Sequence, residues 1–186
     1  MSRVRISLHQ EPVGAVATAR HYIRDLVYGA NDGLITTFAV VAGVAGGGLS
    51  SRALLILGVA NLLADGLSMG VGNYLSIRSH ESALAAQDQP EEEARPARHG
   101  LATMMAFVVA GAVPLTPFVL GLSGGNAAVW SVAVTFATLF AVGALRGAVT
   151  IERWWIGGLE MLLLGVAVAI AAYGSGLLAS RLIAGS

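Results

Sequence analysis

The chain has 186 residues, 55% of them apolar and 12% charged, with a mean hydropathy of +0.72. A soluble domain carries about 25% charged residues, so the composition excludes a water-soluble globule and predicts a single-domain integral membrane protein. Eleven arginines, with no lysine, balance eleven carboxylates, leaving no basic field for nucleic acid, and the absence of cysteine excludes disulfides, thiolate metal sites and thiol nucleophiles.

Residues 1–24 read as a polar cytoplasmic segment, in which Arg3, Arg5, His9, Glu11 and Pro12 precede any long apolar run, so no cleavable signal is expected. A bilayer core of about 30 Å needs about 20 mostly apolar residues per helix, and five stretches qualify. The first covers residues 26–44, closed by Gly46, Gly47 and Gly48, and the second covers 53–77. Between the second and third lies the one substantial aqueous segment after the N-terminus, RSHESALAAQDQPEEEARPARHG at 78–100. It reads as an extension of the second helix followed by a loop broken at Pro90 and Pro96. The third span, 101–122, carries Pro114 and Pro117, which should kink it and free carbonyls for other partners. The fourth covers 127–145 and the fifth 155–179. The expected fold is therefore all-α, with residues 25–186 forming one five-helix transmembrane domain. The interruption of the first run by Asn31, Asp32 and Gly33 leaves four spans plus a re-entrant segment as an alternative.

Positively charged loops stay in the cytoplasm. With the N-terminus inside, the inner segments hold nine arginines (3, 5, 20, 24, 78, 95, 98, 146 and 153) and the outer ones two, Arg52 and Arg181. This predicts a cytoplasmic N-terminus, an external C-terminus and an inner-interface belt at Trp154 and Trp155.

Carboxylates inside a bilayer are costly and mark pathways or buried pairs. Asp32, Asp65 and Glu160 lie within the spans, and Asp25 stands at the start of the first. Asp25 and Asp32, seven residues apart, share a helix face and make a ladder of oxygen ligands. Two other readings stay open: Asp25 as an N-terminal carboxylate favoured by the helix dipole, and Asp32 paired with Arg24. On the second span Asn61, Asp65, Met69 and Asn73 recur every four residues as a slowly turning polar stripe. Thioether and carboxylate together suit a borderline divalent transition metal better than Ca²⁺ or Mg²⁺, whereas Met69 alone reads as core filler. Gly66 with Gly70, and Gly143 with Gly147, offer small faces for close helix approach. Glu160 reads as structural or gating, snorkelling beside Arg153 and Glu152. His80 and His99 flank Glu91, Glu92 and Glu93, a loose metal site or simply a solvated acidic run.

The stretches DLVYGANDGLITTFAVVAGVAGG and ANLLADGLSMGVGNYLSIRSHES resemble the vacuolar iron transporter family, as do FVVAGAVPLTPF and GGLEMLLLGVAVAIAAYGSG further on. The resemblance implies a homodimer with a pathway between subunits lined by the first and second spans, moving Fe²⁺ and often Mn²⁺ out of the cytosol in exchange for protons. It implies Asp32 and Met69 as pathway ligands and Asp25 near the cytoplasmic entrance. Many members carry a longer helical metal-collecting domain between the second and third spans, here reduced to 78–100. Some have a carboxylate where this chain has Asn61 or Asn73.

The expected function is proton-coupled Fe²⁺ or Mn²⁺ export, with the metal as cargo and no resident cofactor, and with lipid, metal and protons as partners. Short loops and the all-arginine basic set favour a prokaryotic inner membrane. A non-transporting membrane scaffold or regulator on the same fold is the alternative. An intramembrane aspartyl protease is disfavoured, since GAND and LLAD precede the aspartates where such enzymes carry GxGD. No enzymatic activity is expected.

Overall fold

The computed structural model describes residues 6–122, 124–149 and 153–184. Arg3, Arg5 and Glu152, used above for orientation and pairing, lie outside the described residues. Six α-helices follow in order: α1 (Ala15–Gly46), α2 (Ser51–Ala86), α3 (Pro96–Gly111), α4 (Thr116–Val119), α5 (Gly124–Val149) and α6 (Trp154–Ala184), with a 3₁₀ turn at Val113–Leu115. Taking α3 through α4 as one kinked span, five stretches are long and apolar enough to cross a membrane.

The helices overrun the apolar runs. α1 begins at Ala15, so Asp25 lies three turns inside the helix and the N-terminal-dipole reading of it fails. The missed start, AVATARHYIR, is polar enough to escape a hydropathy window yet rich in good helix formers. α1 also runs unbroken through Asn31, Asp32 and Gly33, which removes the re-entrant alternative. α2 continues to Ala86, and Pro96 opens α3 at its first position, where a missing N–H costs nothing.

Pro114 and Pro117 end α3 as their chemistry demands. Pro117 has no N–H for the Val113 carbonyl, which accepts the Thr116 hydroxyl at 2.7 Å, and Ser131 of α5 donates to the Pro114 carbonyl at 2.7 Å. The second bond ties the kink to α5.

α1 is the central helix, packed against α3, α5 and α6, while α2 sits at one edge against α3 and α1. Glycines set these approaches. A Cβ on Gly33 would strike the Phe107 backbone, one on Gly70 the Gly100 carbonyl at 2.8 Å, and one on Gly143 the Gly157 backbone. The last contact closes the α5–α6 hairpin, as the small face of α5 predicts. Leu34, Phe38, Val41, Phe107, Leu139 and Met161 fill the space between.

Candidate functional site

Because α2 turns Gly66 and Gly70 onto α3 and Gly58 onto Leu115 of the 3₁₀ turn, the neighbouring positions Asn61, Asp65, Met69 and Asn73 fall along the edge where α2 meets α1. All four are half-buried. A hydrogen bond fixes the register along that edge. Asn73 donates from Nδ2 to Asp25 Oδ1 at 2.8 Å. Seven residues further along α1, half-buried Asp32 lies close enough to Asp65 for the two charges to interact. Antiparallel helices rise 1.5 Å per residue in opposite senses, so the register fixed by Asp25 and Asn73 brings Asp32 level with Asp65 about 10–12 Å further along the helices. The ladder expected on α1 and the stripe expected on α2 therefore face one another.

Asp25 differs from the rest. It is 2% exposed, and both its oxygens accept hydrogen bonds: Oδ1 from Asn73, and Oδ2 from His99 Nδ1 at 2.5 Å. Asn73 Nδ2 also reaches Thr103 Oγ1 at 2.8 Å, and Thr103 donates to the His99 carbonyl at 3.0 Å. Arg24 approaches Asp25 at 3.7 Å, so the pairing of Arg24 with Asp32 does not form. A buried carboxylate is tolerated when its lone pairs are used, and here α2 and α3 supply the donors.

The loose site of His80 and His99 with Glu91, Glu92 and Glu93 does not assemble. His80 pairs with Glu92 at 3.3 Å on the exposed side, while His99 is buried between Asp25 and Glu93, its Nε2 lying 2.9 Å from Glu93 Oε2. Glu91 is engaged through its backbone in a bridge to the N-terminal segment. The two histidines, one from α2 and one from α3, thus take different carboxylates as partners.

Sequence reasoning missed His99 as the partner of Asp25, 74 positions away, and also Thr103 and Glu81. Glu81, 8% exposed, accepts the backbone N–H groups of Glu92 and Glu93 at 3.1 and 2.8 Å and so fixes the α2–α3 connection. A histidine and a threonine four residues apart at the start of an apolar helix were the available signal. Glu160 pairs with Arg146 of α5 at 2.6 Å, and these two residues line a cleft of about 570 Å³ with Arg24 and Asn31.

A cavity of about 640 Å³ opens beside the connection, lined by His21, Arg24, Asn73, His80, Glu93 and His99 among others, and it reaches the end of the stripe at Asn73. Burial opposes ionisation of Glu93, yet the Arg95 amide and the His99 side chain outweigh it and hold the carboxyl below its ordinary value. The N-terminal segment crosses this region. Its backbone exchanges bonds with Glu91 at 2.7 and 2.8 Å, and Glu11 reaches Arg95 at 2.6 Å and Arg98 at 3.1 Å. The His9 hydrogen bond, with Arg95 and Arg98 nearby, holds the Glu11 carboxyl below its ordinary value.

The model of the VIT family matches residues 23–94 and 81–177, two pieces that overlap at the α2–α3 connection. Vacuolar iron transporter homolog 5 of Oryza sativa subsp. japonica is 35% identical over 150 residues, covering 74% of this chain and 72% of that protein. Vacuolar iron transporter 1 of the same organism is 25% identical over 214 aligned positions, covering 84% of this chain and 85% of that protein. That alignment is longer than the chain itself, so the rice protein has segments that this one lacks. A vacuolar iron transporter of Toxoplasma gondii is 43% identical over 75 residues, which span 40% of this chain and 25% of that protein. With the family model covering all five spans in large part, the chain belongs to the VIT family.

Proposed function

We propose that the protein exports Fe²⁺, with Mn²⁺ as a second cargo, from the cytosol in exchange for protons, through a pathway lined by α1 and α2 of two copies. The observation that carries this reading is the register of α1 and α2, fixed by the Asn73–Asp25 hydrogen bond, which sets half-buried Asp32 level with the half-buried stripe of Asp65 and Met69. Two carboxylates and a thioether at membrane depth are costly for a merely structural helix pair and apt for a borderline divalent cation. A carboxylate that releases a metal can take up a proton, so one set of oxygens serves both cargoes in turn. The names of the rice and Toxoplasma relatives support iron as the metal.

A second copy fits the same edge. Beside the polar stripe, Ala60, Ala64, Ser68, Gly72 and Ser76 form an exposed row of small residues, and a Cβ on Gly72 would meet nothing within 4 Å. Small rows let transmembrane helices approach closely. A two-fold axis there would bring both polar stripes together and double the ligand set. The end bearing the N-terminal segment and the α2–α3 connection is assigned to the cytoplasm on its arginines. The short connections favour a prokaryotic cell membrane.

The test is Fe²⁺ and Mn²⁺ flux in proteoliposomes carrying a pH gradient. The parent should transport, and Asp32→Ala and Met69→Ala should each lose at least about tenfold, the effect of about 1.4 kcal/mol of lost ligation. Flux in either variant equal to the parent's would sink the pathway assignment. A parent without flux for any divalent ion would favour the scaffold reading.

A further inference from the structure

Three elements converge above the cavity mouth. The N-terminal segment brings His9, the second turn of α1 brings His21, and the α2–α3 connection brings Glu93; one ligand atom from each lies within 4.8 Å of the others. His9 Nδ1 stands 3.3 Å from Glu93 Oε1, and His21 Nε2 stands 3.5 Å from Glu93 Oε2. Ligands bound at about 2.0–2.1 Å around a tetrahedral ion sit about 3.4 Å apart, so these separations already suit a shared cation.

Two further features distinguish the cluster from a chance gathering of charge. His21 Nε2 is buried without a hydrogen-bond partner although it faces Glu93 Oε2, and buried polar atoms are ordinarily satisfied. His9 has the arrangement of an oriented metal ligand. Its Nε2 lies 3.1 Å from Glu11 Oε1, Glu11 is held in turn by Arg95 and Arg98, and this orients the ring so that Nδ1 faces Glu93 and can ligate a cation once it gives up any proton. The side chains of His9, Glu93 and His21 are 7%, 15% and 25% exposed, sheltered enough to hold an ion and open enough to receive one.

We infer that His9, His21 and the Glu93 carboxylate form a binding site for a borderline divalent transition cation, outside the membrane-spanning pathway, with His9 Nδ1 and His21 Nε2 as the nitrogens that face Glu93. Two imidazoles and one carboxylate select Zn²⁺, Fe²⁺, Co²⁺ or Mn²⁺ over Ca²⁺ and Mg²⁺. A bound ion joins the N-terminal segment to α1 and to the α2–α3 connection. It also sits where the cavity that reaches Asn73 begins. The site stands on its own geometry and does not depend on transport.

Co²⁺ titration of the purified full-length protein in detergent tests this directly, since histidine-bound Co²⁺ gives a visible spectrum and the chain has no cysteine to contribute one. The parent and Asp32→Ala should both show the histidine-type band. The double variant H9A/H21A should lose it along with one equivalent of tight binding, and His80→Ala should keep it. Helical circular dichroism and monodispersity of H9A/H21A unchanged from the parent would establish that the loss is local; the milder variant His9→Gln, expected to weaken Co²⁺ binding at least tenfold, covers the case of a misfolded double. An unchanged band in both variants, or a band abolished equally by His80→Ala, overturns the site. Loss of flux in Asp32→Ala with this band intact separates the site from the transport pathway.

Discussion

Gly33→Ala probes the seam on which the candidate pathway depends. A Cβ at this position would collide with the carbonyl oxygen of Phe107 and lie 2.9 Å from its carbonyl carbon and Cα. All three are backbone atoms of α3, so no side chain can swing away, and α1 must withdraw from α3 by roughly an ångström. Overpacking of this kind costs about 1–3 kcal/mol, and the absence of a flexible neighbour puts the cost at the upper end. Against it stands the intrinsic gain of replacing a helical glycine by alanine, about 1 kcal/mol. The net loss is about 1–2 kcal/mol, a fall of a few degrees in Tm at roughly 2–4 °C per kcal/mol for a chain of this size. Gly174→Ala on α6 is the matched control, since a Cβ there would meet nothing within 4 Å, and its Tm should hold or rise. Because Asp32 precedes Gly33, the withdrawal should also lower metal flux. Thermal unfolding in detergent, with flux measured on the same preparations, reads both effects. Equal Tm shifts of the same sign in the two variants would refute the claim that glycine sets the α1–α3 approach.

His99→Ala should be among the most damaging single changes, because it leaves Asp25 buried without its 2.5 Å partner; breaking a buried pair costs about 3–5 kcal/mol. Adding Asp25→Asn to His99→Ala should recover part of the lost Tm, and a double variant no more stable than the single would contradict the pairing. The two-copy reading predicts that Ser68→Cys, introduced into a cysteine-free chain, cross-links on oxidation in the membrane, whereas Leu163→Cys on the exposed face of α6 does not. Equal cross-linking of both would remove α2 as the interface. Docking of the N-terminal segment should be pH-dependent through Glu11, which faces His9, Arg95 and Arg98. Its folded value lies below the ordinary one, so its contribution is present in full above the ordinary value and is lost as pH falls through the lowered one. A spin label on Ser7→Cys should therefore gain mobility as the pH falls through the lowered Glu11 value, and Glu11→Gln should raise its mobility at neutral pH; a label equally immobile throughout would argue against the ion pairs.

The five spans were legible because burial in lipid imposes a requirement that each helix meets alone, some 20 apolar residues in a row. The kink at Pro114 and Pro117 was legible for a similar reason, since proline acts on its own turn. What the chain concealed depends on partners distant in sequence. Asp25 and Asp32 look equivalent on α1, and only the fold separates them, one sealed by His99 and Asn73 and the other left on the half-buried edge. The start of α1 was hidden because hydropathy measures lipid exposure, and its first turns lie where Arg20 and Arg24 keep the average low.

The same distinction bears on which carboxylates can carry an exchange. A group that alternates between metal and proton must be free to lose one partner before it gains the next. Asp25 is held by donors from two helices, so releasing it would cost the buried contacts that join α1 to α2 and α3. In the register fixed by Asn73 and Asp25, Asp32 and Asp65 come level on facing helices, and like charges brought together there are relieved by a cation or a proton between them. On the proposed function, that opposition of like charge, and not the number of acidic residues, is what suits Asp32 and Asp65 to carry an exchange. Asp25 by contrast serves to fix the register in which the pair meets.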